Sequence, residues 1–153
     1  MSPLFQADAD LHYDIVLGVL RREPALNFQS AQECLRDGTP DGELLRIAAI
    51  EGRILVSHDV STMPSEFRRF LASQNYSPGV ILLPKTVSIG TAIEDLVLLW
   101  AASTPEDWRN HLANARRKIQ YPRPSPPRHT PPLPPVLRKR FEQILYQTCD
   151  HEN

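Results

Sequence analysis

The sequence predicts an α/β domain built on a central parallel sheet with helices on both faces, and three observations carry that prediction. Two short, wholly apolar runs, Ile54-Leu55-Val56 and Val80-Ile81-Leu82-Leu83, have the length and composition of strands buried on both faces. Stretches with helical apolar spacing separate such runs, so strand and helix alternate along the chain, a pattern that requires crossover connections. The third observation is how the first run stops. It ends on Ser57, His58 and Asp59, which puts a carboxylate at the carboxyl end of a central strand, the edge where open α/β sheets bind ligands.

The elements follow in order. Residues 4–7 form the first expected strand, ending on Asp8. Leu11, Ile15, Val16, Val19 and Leu20 then follow helical spacing, with Asp8 or Asp10 available as the cap and Pro24 as the stop. Residues 25–29 make a weaker second strand, supported by Leu26 and Phe28. Gly38 and Pro40 mark a loop, Asp41 is the expected cap of the next helix, and Leu44, Leu45, Ile47, Ala48 and Ile50 carry that helix to its end before Gly52. Beyond the strand at 54–57, Met63-Pro64-Ser65-Glu66 opens a helix that packs Phe67, Phe70 and Leu71. Ser77-Pro78-Gly79 turns the chain into the strand at 80–83. The longest apolar helix is expected at 88–103, through Ile89, Ile93, Leu96, Val97 and Trp100. Thr104-Pro105-Glu106, a capping residue followed by proline, starts a last helix expected to run to about Lys118.

Composition places this body in an ordinary class. With 153 residues, 41% hydrophobic and 23% charged, the chain has the makings of one soluble domain with a real core. No apolar run is long enough to span a bilayer, and the N-terminus lacks the basic start and apolar stretch of a secretion signal. Cys34 and Cys149 sit in unrelated contexts and suggest neither a disulfide framework nor a zinc cluster, which points to a reducing cytoplasm. The expected organisation is a body over residues 1–118, a proline-rich linker over 119–135 and a C-terminal amphipathic helix over 136–149.

The net charge of -1 conceals an asymmetry. Between Trp108 and Phe141 there are nine Lys or Arg and no Asp or Glu, a split that suits a polyanion-facing tail on an acidic body. A solvated tail without a partner is the other reading. Eight prolines between Pro122 and Pro135 exclude helix and ladder there and favour an extended, solvated segment. The helix beyond it is short enough to be marginal alone, so it is expected to dock on its own body or on a partner.

The chemistry-bearing residues are acids. If the strands ending at Ala7 and Ser57 are parallel neighbours, Asp8 and Asp59 emerge at one edge, about 4.8 Å apart strand to strand. Asp41 and Glu43 open the helix that feeds the strand at 54–57, and such a crossover helix begins near the same edge. Asp10 lies in the turn after Asp8. A cluster of hard oxygen ligands of this kind suits Mg²⁺ or Mn²⁺, and without a cation the carboxylates repel one another. Each acid also has a structural reading: Asp41 or Asp10 as a helix cap, Glu43 as an answer to the helix dipole, Asp14 on a solvated face. His58 reads either as a polar neighbour of the strand end or as an assisting base.

The segments A-D-A-D-L-H-Y-D-I-V-L-G-V-L, P-D-G-E-L-L-R-I-A-A-I-E-G-R-I-L-V-S-H-D and S-P-G-V-I-L-L-P, in that order, resemble the small PIN-like domains grouped with toxin-type ribonucleases. The resemblance covers residues 4–108, and E-G-R-I-L-V-S-H-D is its most specific part. It implies a three-layer α/β/α PIN-like fold and a Mg²⁺- or Mn²⁺-dependent endoribonuclease acting on single-stranded RNA, leaving 5′-phosphate and 3′-hydroxyl ends. Carried over by position, Asp8 matches the first acid, Asp41 or Glu43 the helix acid and Asp59 the acid after the third strand. There are departures: the acid common two residues past Asp59 is Ser61, the glutamate usual after Asp8 is Ala9, and Asp10 stands where asparagine is common.

The expectation from the sequence is therefore a metal-dependent ribonuclease with Asp8, Asp41 and Asp59 as its catalytic acids. Asp8, Asp10, Asp41, Glu43 and Asp59 would be its metal ligands. Arg116, Arg117, Lys118, Arg138, Lys139 and Arg140 are expected to hold the RNA backbone by charge alone, and Tyr121 could stack on a base. Two other readings stay open. One is a catalytically degenerate module binding protein or RNA, favoured by Ser61 and Ala9, with the proline-dense tail as ligand for an aromatic groove. The other is the toxin of a toxin–antitoxin pair, held silent by an antitoxin-like protein. A homodimer is also open, and no membrane partner is expected.

Overall fold

The computed structural model describes residues 1–31, 38–73 and 75–115. In chain order the elements are β1 (Phe5–Ala7), α1 (Tyr13–Arg22), β2 (Phe28–Gln29), α2 (Asp41–Glu51), β3 (Ile54–Ser57), α3 (Met63–Ala72), β4 (Val80–Leu82), α4 (Ile89–Ala102), α5 (Pro105–Trp108) and β5 (Leu112–Asn114). Met1–Arg116 forms one compact unit. The expected linker over 119–135, the helix over 136–149, both cysteines, Tyr121 and the six basic residues assigned to RNA all lie outside the described residues.

The sheet is parallel throughout, in the order β2-β1-β3-β4-β5. Phe5 pairs with Ile54, Gln6 with Leu55 and Ala7 with Val56, so β1 and β3 are neighbours in the middle of the sheet. The chain leaves β1 towards β2 on one side and returns to β3 on the other. This order therefore reverses between β1 and β3, and in open α/β sheets ligands bind beyond the carboxyl ends of the strands at such a point.

Side-chain alternation decides which face each residue serves. Leu55, Val80 and Leu82 pack with Leu44, Leu45 and Ala48 of α2 and with Met63 and Phe67 of α3, and Leu112 joins from β5. Phe5, Ile54, Val56 and Ile81 alternate to the other face and are also fully buried. The helices pair accordingly, α2 with α3 and α1 with α4, an arrangement compatible with a three-layer stack. Gly18 marks how tightly the second pair meets: a Cβ there would stand 2.1 Å from Ile93 Cδ1. Each fully buried Leu or Ile of this core contributes roughly 1.5–3 kcal/mol.

Helix ends explain two differences from the sequence reading. The cap of α1 is His12, whose Nδ1 accepts from Asp14 N–H at 3.2 Å, and not Asp8 or Asp10. The cap position of α2 is Pro40, with Asp41 the first helical residue. All three acids are thereby released from the capping roles the sequence offered them. Gly52 ends α2 as expected, at φ 67°, where a residue without Cβ is favoured.

The largest difference lies after Thr104. The helix expected to reach Lys118 stops at Trp108, and Leu112–Asn114 instead forms β5 beside β4. Asn110 at φ 58° breaks the helix, and its side-chain oxygen and N–H take the N–H and carbonyl of Ser77 at 2.9 and 2.8 Å. Trp108 is buried and its Nε1–H donates to Ser103 Oγ at 2.8 Å, which fixes the turn. Gly79, at φ 119°, lies so close that a Cβ would stand 2.6 Å from the Trp108 carbonyl oxygen. Among the described residues no helix is long and apolar enough to cross a membrane.

Candidate functional site

Acids gather at the carboxyl ends of β1 and β3. Asp8 follows β1 directly, and its N–H donates to Val56 O at 2.9 Å, so the strand pairing extends to it and places it opposite Ser57. Only 7% of Asp8 is exposed. Its Oδ1 accepts from Ala9 N–H and its Oδ2 from the Ser57 hydroxyl, both at 2.6 Å. Burial pushes the carboxyl up to about 6; the Ser57 hydrogen bond opposes this, Asp10 adds to it, Ala9 N–H opposes it and Asp41 adds again.

Asp59 reaches the same edge two residues past the end of the register, and the Ser57 hydroxyl joins the two acids: its oxygen accepts from Asp59 N–H at 3.0 Å. The Asp59 carboxylate is held by the turn into α3. Oδ1 accepts from Ser61 N–H at 3.1 Å, Ser61 Oγ at 3.0 Å and Thr62 N–H at 2.8 Å, while the Thr62 hydroxyl donates to Oδ2. These donors, the Thr62 hydroxyl foremost, lower its carboxyl to about 2.

Asp41 arrives from the start of α2. Its carboxyl lies above the usual range, first through burial and then through Asp59, Glu66 and Asp10, with the Thr62 hydroxyl opposing. Asp10 sits in the exposed loop after β1, where its Oδ1 accepts from His58 N–H at 3.4 Å. Asp8, Asp10, Asp41 and Asp59 thus act on one another electrostatically, and among the described residues none of the four is ion-paired with a Lys or Arg.

Glu43 is not drawn into this group. It forms a two-pronged pair with Arg46, with Nε at 2.9 Å from Oε2 and Nη2 on Oε1, and that pairing lowers its carboxyl. Three residues that sequence reasoning left out take part instead. Ser57 orients Asp8, Thr62 sits between Asp41 and Asp59, and Glu66 adds negative charge against Asp41. Glu66 was legible in principle, since α3 follows β3 and starts at its carboxyl edge.

Four carboxylates with no Lys or Arg ion-paired to them among the described residues match a hard divalent ion in charge and in donor type. In detail the match is partial. Among the described residues no group of three His, Cys, Asp or Glu side chains stands close enough together to hold a metal ion. Asp8 retains lone pairs on both oxygens beyond the single hydrogen bond each accepts, whereas Asp59 Oδ1 is occupied three times over. Comparison with family models, with curated proteins and with solved structures finds no match to this chain.

Proposed function

We propose that this chain is a divalent-metal-dependent phosphodiesterase of the PIN-like type, cleaving single-stranded RNA. One observation carries the reading: Asp8, Asp10, Asp41 and Asp59 act on one another at the point where the strand order reverses, and among the described residues no Lys or Arg is ion-paired with them. Mutually repelling carboxylates at a ligand-binding edge are costly unless a cation offsets them. Asp8, whose oxygens keep free lone pairs, would hold a Mg²⁺ or Mn²⁺, with Asp10, Asp41 and Asp59 adding negative charge around it. Such an ion, when bound, supplies Lewis acidity towards a phosphate oxygen and lowers the pKa of water.

The residues of the chain do the rest. Ser57 donates to Asp8 Oδ2 and fixes the rotation of the carboxylate, and Ala9 N–H does the same for Oδ1. Asp59, locked by Ser61 and Thr62, keeps its charge and with it the negative potential of the sheet edge. The basic stretch beyond Asn114 would contribute backbone affinity by counterion release, without reading sequence.

The test is Mn²⁺-dependent cleavage of single-stranded RNA by the wild type, Asp8→Asn and Asp59→Asn. Loss in both variants is expected. Equal residual activity in all three would remove these acids from catalysis. The full engagement of Asp59 favours a second reading, a catalytically degenerate interaction module, and Mn²⁺ calorimetry separates the two: a module of that kind shows no carboxylate-dependent heat. A toxin role requires an antitoxin-like partner and would appear as growth arrest on expression of the wild type but not of Asp8→Asn.

A further inference from the structure

The geometry points to His58 as a positioning residue: its imidazole, held as the Nδ1–H tautomer, clamps the loop that carries Asp10 to the sheet edge. His58 follows β3, between Ser57 and Asp59. The backbone N–H of His12 points at His58 Nε2 at 3.3 Å, and an amide can only donate, so Nε2 is the bare nitrogen. His58 Nδ1 lies 2.7 Å from the carbonyl oxygen of Leu83, which can only accept, so Nδ1 carries the hydrogen. Both ring nitrogens therefore have partners within the protein.

What the clamp holds is the turn between β1 and α1. That turn is fastened at its start by Asp8 N–H on Val56 O at 2.9 Å, and inside by Leu11 N–H on Asp8 O at 3.1 Å. At its far end it is fastened by His12 N–H on the imidazole. Asp10 lies between these ties, with its Oδ1 accepting from the His58 backbone N–H at 3.4 Å. One side chain thus links the ends of β3 and β4 to the cap of α1, and fixes where the Asp10 carboxylate stands relative to Asp8. Partners one step behind a ligand orient it in this manner. The consequence for metal binding rests on the nuclease reading above; the tautomer and the clamp do not.

The experiment uses the full chain and three forms: wild type, His58→Gln and His58→Asn. Glutamine places an acceptor oxygen where Nε2 stood, whereas asparagine reaches only the Nδ1 position and keeps only the Leu83 contact. Nitrogen NMR of the wild-type ring is expected to show a protonated Nδ1 and a bare Nε2, and the His12 amide is expected to exchange slowly in wild type and His58→Gln but not in His58→Asn. Mn²⁺ titration should find His58→Gln close to wild type and His58→Asn weaker by about 10- to 100-fold. An Nε2-protonated ring, or a His12 amide that exchanges as slowly in His58→Asn as in wild type, would overturn the clamp, and equal Mn²⁺ affinity in wild type and His58→Asn would overturn its role in metal binding; each leaves the nuclease reading intact. Absence of Mn²⁺ binding in the wild type would overturn the nuclease reading and the role in metal binding together.

Discussion

The Ser57 hydroxyl donates to Asp8 Oδ2 at 2.6 Å and accepts from Asp59 N–H at 3.0 Å, so one buried oxygen links two acids 51 positions apart in the chain. The register makes this arrangement. Ala7 opposes Val56, so the next residue on each strand, Asp8 and Ser57, must face each other. The two acids then diverge in character: Asp8 is desolvated and pushed up to about 6, and Asp59 is saturated with donors and lowered to about 2. Environments that drive neighbouring carboxyls apart are a recurrent feature of functional sites.

Asp8 has a calculable cost. Its carboxyl titrates near 6 in the fold against an ordinary 3.8, so folding favours the protonated form. The favourable contribution is complete below about pH 4 and is lost as pH rises through 6. Asp8→Asn removes the charge and keeps both neighbours, Oδ1 accepting from Ala9 N–H and Nδ2 donating to Ser57 Oγ. At pH 7 the variant is expected to be more stable than wild type by about 1–3 kcal/mol while losing Mn²⁺-dependent cleavage. Chemical denaturation at pH 4, 5.5 and 7 checks this, since the gap should widen with pH.

Asp59 has the opposite sign. Its depressed carboxyl contributes stability that is present above about pH 4 and is lost as pH falls through 2. Asp59→Asn, which cannot accept all four hydrogen bonds with the same strength, is expected to be less stable than wild type at pH 7. The difference should shrink on acidification below pH 4, and denaturation curves of the two proteins measure it directly.

Metal binding should be coupled to the proton on Asp8. A ligand must be deprotonated to bind, so Mn²⁺ is expected to release a proton below pH 6 and to bind more weakly there. At a concentration 100 times its Kd, an ion bound only to the native state stabilises by about 2.7 kcal/mol. Thermal unfolding with and without Mn²⁺ at pH 5 and pH 7 should therefore show the larger shift at pH 7, and chelation with EDTA should abolish it. A shift of equal size at both pH values would detach the ion from Asp8.

How much of this was legible in the sequence differs by element. The apolar runs at Ile54–Ser57 and Val80–Leu82 declared themselves because strands buried on both faces need no alternation. Leu112–Asn114 did not, since Trp108 and Leu112 are four apart and mimic a helical stripe, and an alanine and an asparagine carry no strand signal. Only the left-handed Asn110 and the close approach of Gly79 to Trp108 reveal the turn, and neither is a property of local sequence. In the site, Asp8 and Asp59 follow from parallel pairing alone. The Ser57 link required the register, and the His12 cap required knowing that the imidazole of His58 lies behind it.

The sequence offers Asp41 or Glu43 as the helix acid, and the two stand two positions apart on a helix, where i,i+2 residues do not share a face. In the structure Asp41 faces the charges of Asp59, Glu66 and Asp10, while Glu43 is turned to Arg46. Asp41→Asn is therefore expected to weaken Mn²⁺ binding by about tenfold or more, as loss of a ligand or its neighbour does. Glu43→Gln removes an exposed i,i+3 ion pair and is expected to leave Mn²⁺ affinity unchanged, with little effect on stability. Isothermal titration of both variants with Mn²⁺ decides the matter, because equal losses would mean that the two carboxylates reach the ion together and that the helix phase seen here does not govern the site.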